Sequence, residues 1–205
     1  MCSVCTCANI PPLGFFVLAA ALITYLRVKQ AELQAVIDTD LVTGATSARG
    51  FYRHAEREIY RSHRYGHPLT VAYLDLDNFK QVNDTYGHQE GDRLLRIVAQ
   101  TIKTHIRAAD RVARLGGDEF VILFSETDAP SARHAVEKIR AQLLARMQME
   151  YWPVTFSLGV LTCGPNCPGL EDVLREADHL MYSVKKAGKN AVASGATGQE
   201  GYGAL

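Results

Sequence analysis

The fold this chain predicts is an α+β domain built on a mainly antiparallel central sheet flanked by helices, preceded by an N-terminal hydrophobic helix. Three observations carry that expectation. From about Asp38, apolar runs of strand length alternate with amphipathic helical segments. Gly116-Gly117 joins two such runs as a hairpin, which forces antiparallel pairing and disfavours a doubly wound parallel sheet. Ahead of both, residues 8–26 (ANIPPLGFFVLAAALITYL) carry no charge. Helices gathered on one face of the sheet fit this pattern.

Taken in order, residues 1–37 read as a tail, a transmembrane helix over 8–26 and a helical stalk. About 20 apolar residues span a bilayer, and the run is just long enough. Arg27 and Lys29 follow it and no charge precedes it, so the positive-inside rule puts the rest of the chain in the cytoplasm, anchored to the inner membrane. A buried helix or a hydrophobic dimer seam is the other reading. Val28, Leu33 and Val36 continue the apolar spacing as the stalk. Residues 38–194 form one folded domain. Ala48–Tyr65 reads as an amphipathic helix and Leu69–Asp75 as a strand rich in β-branched and aromatic residues. A short helix follows over Asn78–Tyr86, closed by Gly87, then a long one over Gln89–Ile106 with Leu94, Leu95, Ile97, Val98, Ile102 and Ile106 on its core face. Arg111–Leu115 and Phe120–Phe124 are the hairpin strands. Pro130–Met147 is a helix, Val154–Leu161 a strand, Leu170–Lys186 a helix and Ala191–Ala193 a short last strand. Residues 195–205 (GATGQEGYGAL) read as a flexible tail.

The bulk numbers exclude some classes. Of 205 residues 47% are apolar, enough for a core and too many for wholesale disorder. Lys+Arg and Asp+Glu stand at 22 each, so a nucleic-acid binder working by overall charge is excluded, while a local basic pocket for a phosphorylated small molecule is not. Five cysteines, at 2, 5, 7, 163 and 167, make no disulfide framework. Cys2, Cys5 and Cys7 have a metal-like spacing without a matching second pair and read as free thiols.

Chemistry concentrates in a few places. Asp75 ends one strand and Asp118, with Glu119, begins another. If those strands are neighbours, their carboxylates meet at one edge of the sheet. Hard oxygen donors of this kind suit Mg²⁺ or Mn²⁺, which stay partly hydrated and take further ligands from substrate phosphates. Gly116 and Gly117 allow a positive φ and clear the backbone for a bulky ligand. The helix after Asp77 offers its N-terminus to an anion, Lys80 lies in its first turns, and Lys185 and Lys189 bracket KKAGK. Asn83 and Asp92 present an amide and a carboxylate suited to the edge of guanine. Each feature also has a plainer reading. Asn83-Asp84 reads as turn chemistry, the late lysines as complements to a helix dipole, and Asp118-Glu119 as a solvated hairpin end.

These residues together resemble the GGDEF family, the diguanylate cyclases. RLGGDEF (114–120) is similar to the family signature, and LDLDNFKQVNDTYGHQEGDRLL (74–95) resembles its second block almost residue by residue. DLVTGATSARGF (40–51), FSLGV (156–160) and MYSVKKAGKN (181–190) resemble three further blocks in the family's order. The resemblance implies the palm-like α+β fold of adenylyl cyclases and polymerases, a ferredoxin-like variant. It also implies a homodimer in which two GTP are condensed to cyclic di-GMP and two pyrophosphates. On the matching positions it implies metal binding by Asp75, the carbonyl of Leu76 and Asp118. Asp118 would help take the proton of the 3′-hydroxyl and Glu119 would support the metals. Asn83 and Asp92 would read guanine, and Lys80, Lys185 and Lys189 would hold phosphates. RAAD, Arg107–Asp110, matches the RxxD motif of the family's product-inhibition site, with Arg107 gripping phosphate or base and Asp110 accepting from the base.

Some positions depart from the pattern. Ser47-Ala48-Arg49 replaces the usual Asn-Arg-Arg, Ala45 stands for a leucine, and Lys189 replaces an arginine, keeping charge but losing the planar fork. A catalytically silent domain serving as a GTP or cyclic di-GMP receptor is the alternative, as is a mixed cyclic GMP-AMP producer. The three retained acids argue against the first and Asp92 against the second.

Overall fold

The computed structural model describes residues 12–197. The chain divides into two compact units, Met1–Ile37 and Asp38–Leu205. In the first, α1 (Pro12–Ile37) is one continuous helix whose Lys29 and Glu32 pair at 2.8 Å. Pro12 occupies its first position, where a missing N–H costs nothing. The crossing helix expected over 8–26 is not found. Residues 8–11 lie outside the described residues, and among the described residues no helix is long and apolar enough to cross a membrane. Cys2, Cys5 and Cys7 lie outside them too.

The second unit is a six-stranded sheet in the order β1-β3-β4-β2-β5-β6. Its strands are β1 (Thr46–Ser47), β2 (Leu69–Asp77), β3 (Arg111–Gly116), β4 (Glu119–Phe124), β5 (Thr155–Cys163) and β6 (Val192–Ala196). β2 runs antiparallel to β4 and β5, and β3 antiparallel to β4. The outer pairs, β1–β3 and β5–β6, are parallel. The helices are α2 (Ala48–Tyr65), α3 (Phe79–Tyr86), α4 (His88–His105), α5 (Ala129–Met149) and α6 (Leu170–Ala187).

Local chemistry sets the helix ends. Ser47 caps α2 by accepting from the Gly50 N–H at 3.2 Å. Gly66 ends α2 in the left-handed region at φ 71°. Asp128 caps α5 by accepting from Ser131 N–H at 3.0 Å, with Pro130 in the first turn.

Helices cover both faces of the sheet, not one as expected. Alternation along β2 explains it: Ala72, Leu74 and Leu76 join the cluster under α4 and α5, while Leu69, Val71 and Tyr73 join the cluster under α2 and α6. All nine residues of β2 are buried, the pattern of a strand covered on both sides. β5 meets α6 at Gly159, where an added Cβ would lie 2.0 Å from the Ala177 carbonyl. At the far end of β5, the free thiols of Cys163 and Cys167 are buried and hydrogen-bonded to each other. His63 on α2 reaches the Cys167 carbonyl at 2.6 Å.

Two boundaries bear on function. β2 runs two residues past Asp75, which places Asp77 inside the sheet. β6 extends to Ala196, so Gly195 is strand, not tail; residues 198–205 lie outside the described residues.

Candidate active site

The site lies where β2 and β4 end beside the hairpin. Asp75 and Glu119 are direct cross-strand partners, two carboxylates on one face of the sheet. The Leu76 N–H donates to the Asp118 carbonyl at 3.3 Å, which fixes Asp118 next to them. The hairpin turns through Gly117 and Asp118, with a register shift between Arg114 and Gly116. Of the two glycines only Gly117 has a positive φ, 50°. Arg114 locks the turn: its Nε and a terminal nitrogen donate to the Gly117 carbonyl at 2.9 and 2.8 Å. It also reaches Asp40, whose Oδ1 accepts from the N–H and hydroxyl of Thr43.

The site's electrostatics are one-sided. Asp75 is 5% exposed, and Lys185 on α6 pairs with it at 2.7 Å. Burial lifts the Asp75 carboxyl above its ordinary range; the Lys185 hydrogen bond opposes this, but Asp118 and Asp77 push it further up. The Glu119 carboxyl is also raised, first by burial and then by Asp75, Asp178 and Asp118, despite a hydrogen bond from the Tyr73 hydroxyl. Burial is the first cause of both shifts, and the neighbouring carboxylates add to it. A hard divalent cation fits that donor set, which is all oxygen. Among the described residues no group of three or more His, Cys, Asp or Glu side chains is gathered as a self-sufficient metal cage. A cation here needs further oxygens, as from a backbone carbonyl or a substrate.

Lysines and amides approach from two sides. Lys189, at φ 69°, donates to Asn78 Oδ1 at 3.1 Å, and its neighbour Asn190 donates its N–H to Asp77 at 3.2 Å. Asn78 itself stands at φ 65°, and no side chain caps α3. Lys80 is exposed in the first turn of α3. Asn83 on α3 lies against α4: a Cβ on Gly91 would sit 1.9 Å from its Oδ1, and half-buried Asp92 is the next residue.

Arg107 and Asp110 lie elsewhere. Exposed Arg107 lines an open cleft of about 410 Å³ together with His54, Glu58, Arg61, Arg111 and Ser125. Asp110 is buried, and its oxygens accept the N–H groups of Arg107 at 2.9 Å and Ser125 at 3.3 Å. Its carboxylate therefore builds the corner that presents Arg107. The cleft also holds His54, whose buried Nε2 lacks a hydrogen-bond partner.

Sequence reasoning missed Asp77, Arg114 and Tyr73. Asp77 had a signal, its alternation with Asp75 along one strand. Arg114 belongs to the quoted signature, but its grip on Gly117 depends on the hairpin's geometry.

Comparisons with known proteins agree with this architecture. The family model described as "Diguanylate cyclase, GGDEF domain" matches residues 37–191. The diguanylate cyclase DgcP of Pseudomonas aeruginosa is 37% identical over 155 residues, covering 74% of this chain and 23% of the relative. The diguanylate cyclase DosC of Escherichia coli K12 is 33% identical over 176 residues, covering 83% and 38%. The chain thus spans less than half the length of these curated relatives. Among solved structures, the coiled coil and GGDEF domain of DgcB from Caulobacter crescentus, in complex with c-di-GMP, matches with a TM-score of 0.75 at 26% identity, covering 88% of this chain and 97% of that one. A family match over most of the chain, spanning Asp75, Asp118 and Glu119, settles the assignment: this chain belongs to the GGDEF-domain family of diguanylate cyclases.

Proposed function

We propose that the domain condenses two GTP into cyclic di-GMP with release of two pyrophosphates, each copy of a homodimer presenting one nucleotide. The observation that carries this is the cross-strand pair of buried Asp75 and half-buried Glu119 beside half-buried Asp118. Asn83 on α3 and Asp92 on α4 grip guanine. Lys80, Lys185 and Lys189 bind the triphosphate with the uncapped start of α3. Asp118 accepts the proton of the 3′-hydroxyl as its oxygen attacks the partner nucleotide's α-phosphorus, and the bond from that phosphorus to pyrophosphate breaks. Asp75, the Leu76 carbonyl and Asp118 would hold Mg²⁺ or Mn²⁺, which would supply charge stabilisation at the reacting phosphates. Gly116 and Gly117 leave the backbone open to the nucleotide. The Arg107 cleft takes product and slows the enzyme; Arg107 makes the contact and Asp110 fixes the corner.

Incubating the purified chain with GTP and Mg²⁺ at several protein concentrations tests the reading. Cyclic di-GMP should form, with specific activity rising as dimers populate. Absence of any cyclic dinucleotide at every concentration would favour the nucleotide-receptor reading, and a dominant mixed product from ATP and GTP would overturn the guanine assignment.

A further inference from the structure

Three consecutive residues at the end of α6 stand at positive φ: Gly188 at 123°, Lys189 at 69° and Asn190 at 52°. Asparagine adopts this conformation readily, but for lysine it is uncommon and marks a backbone held by its surroundings. The neighbours are identifiable. Asp77 accepts the Asn190 N–H on Oδ2 at 3.2 Å. From the other direction, Arg140 on α5 donates to the Asn190 backbone carbonyl and to its side-chain oxygen, both at 3.1 Å. The turn is held by its N–H on one side and by its carbonyl on the other. Both anchors are themselves fixed. Asp77 is 2% exposed and accepts the hydroxyls of Thr155 and Ser157, each at 2.8 Å. Arg140 is braced by Glu137 at 3.0 Å.

Burying a carboxylate is costly, and this one takes no part in the opposed pair at the site's centre. What it secures is the direction of the chain that carries Lys189, whose ammonium lies 3.1 Å from Asn78 at the mouth of α3. We infer that Asp77 and Arg140 are positioning residues: together they hold the Lys189–Asn190 turn so that its cation meets the triphosphate of the bound nucleotide. The inference rests on the reading of Lys185 and Lys189 as triphosphate ligands. Arg140 touches no reacting atom, and its effect is on binding geometry alone. A lysine replaces the family's usual arginine at 189, and a single ammonium lacks a second donor to tolerate misplacement, so its support matters more.

The test uses the full chain and two ligands that cannot turn over, 3′-deoxy-GTP, which lacks the attacking hydroxyl, and GMP, which lacks the β- and γ-phosphates. Asp77→Asn and Arg140→Met should each weaken 3′-deoxy-GTP binding about tenfold, because small displacements of a positioned charge are costly, while GMP affinity stays within about twofold. The ratio of the two affinities is a readout that general loosening of the domain does not move. Equal losses for both ligands, or no loss for either, would overturn the inference while leaving the phosphate reading intact. A wild-type chain that binds 3′-deoxy-GTP no better than GMP would instead defeat the phosphate reading, and the inference with it. Arg140 is half-buried and not part of either core cluster, so Arg140→Met decides the matter if Asp77→Asn does not fold.

Discussion

The opposition of Asp75 and Glu119 has opposite consequences for stability and for chemistry. Both carboxyls are raised by burial in the fold. A group whose folded pKa lies above its unfolded value contributes stability below the unfolded pKa and loses it as pH rises through the folded pKa. The metal-free domain should therefore lose stability as pH climbs from the ordinary carboxylate range toward neutrality. Asp75→Asn should raise Tm at pH 7 by a few degrees in the absence of divalent cations, remove the Mg²⁺-induced rise in Tm, and abolish turnover. A thermal scan with and without Mg²⁺ reads all but the last. Asp118→Ala should cut the rate of cyclic di-GMP formation by at least about a thousandfold, as loss of charge stabilisation at the transition state does, with Tm little changed; retained activity would remove Asp118 from the mechanism. At this scale the sequence was informative about residues at strand ends. Asp75 and Asp118 were legible because both flank apolar runs. Arg140 was not, since its partner Asn190 is 50 residues away and meets it only once α5 packs beside β6.

Elements set how precisely those side chains arrive. Gly159 lets the α6 backbone approach β5 more closely than any side chain would allow, with added atoms falling 2.0 Å from Ala177 O and 2.3 Å from Met181 N. Gly159→Ala should lift α6 and cost about 1–3 kcal/mol by overpacking. Because α6 carries Lys185, KM for GTP should rise as well. Denaturant unfolding and steady-state kinetics measure the two effects, and an unchanged KM would separate the helix from the phosphate site. The hairpin and most strands were legible from glycine punctuation and apolar runs. The second helical layer was not, although LTVAYLDLD is nearly apolar on both alternating sets, the mark of a strand with no solvent face. The two acids that end that run masked the signal, because their charge reads as exposure until the site that uses them is known.

On the proposed reading, the second unit separates catalysis from feedback. The Arg107 cleft is lined by α2, the α4–β3 corner and the residues just after β4, and neither of the opposed acids lines it. Arg107→Ala should leave the initial rate within about twofold, as expected for distant sites that share no partner, while shifting the inhibitory concentration of added cyclic di-GMP upward at least about tenfold through loss of a bidentate grip. Progress curves with and without added product distinguish the two; unchanged sensitivity would remove the cleft from regulation. The boundary near Asp38 was legible from the change of pattern there, and it coincides with the start of the second compact unit. The apolar run and the basic residues behind it suggested a crossing helix, but among the described residues no helix is long and apolar enough to cross a membrane.

The paired thiols at the end of β5 give this protein an internal reporter. Neither sulfur meets an alkylating reagent while the corner beneath α6 stays shut, since Cys163 is 0% and Cys167 4% exposed. The rate at which iodoacetamide modifies the peptide carrying them therefore counts openings of that corner. Nucleotide that tightens the opposite end of the same helix should slow the count, making two inert sulfurs a clock for motions that no turnover assay records.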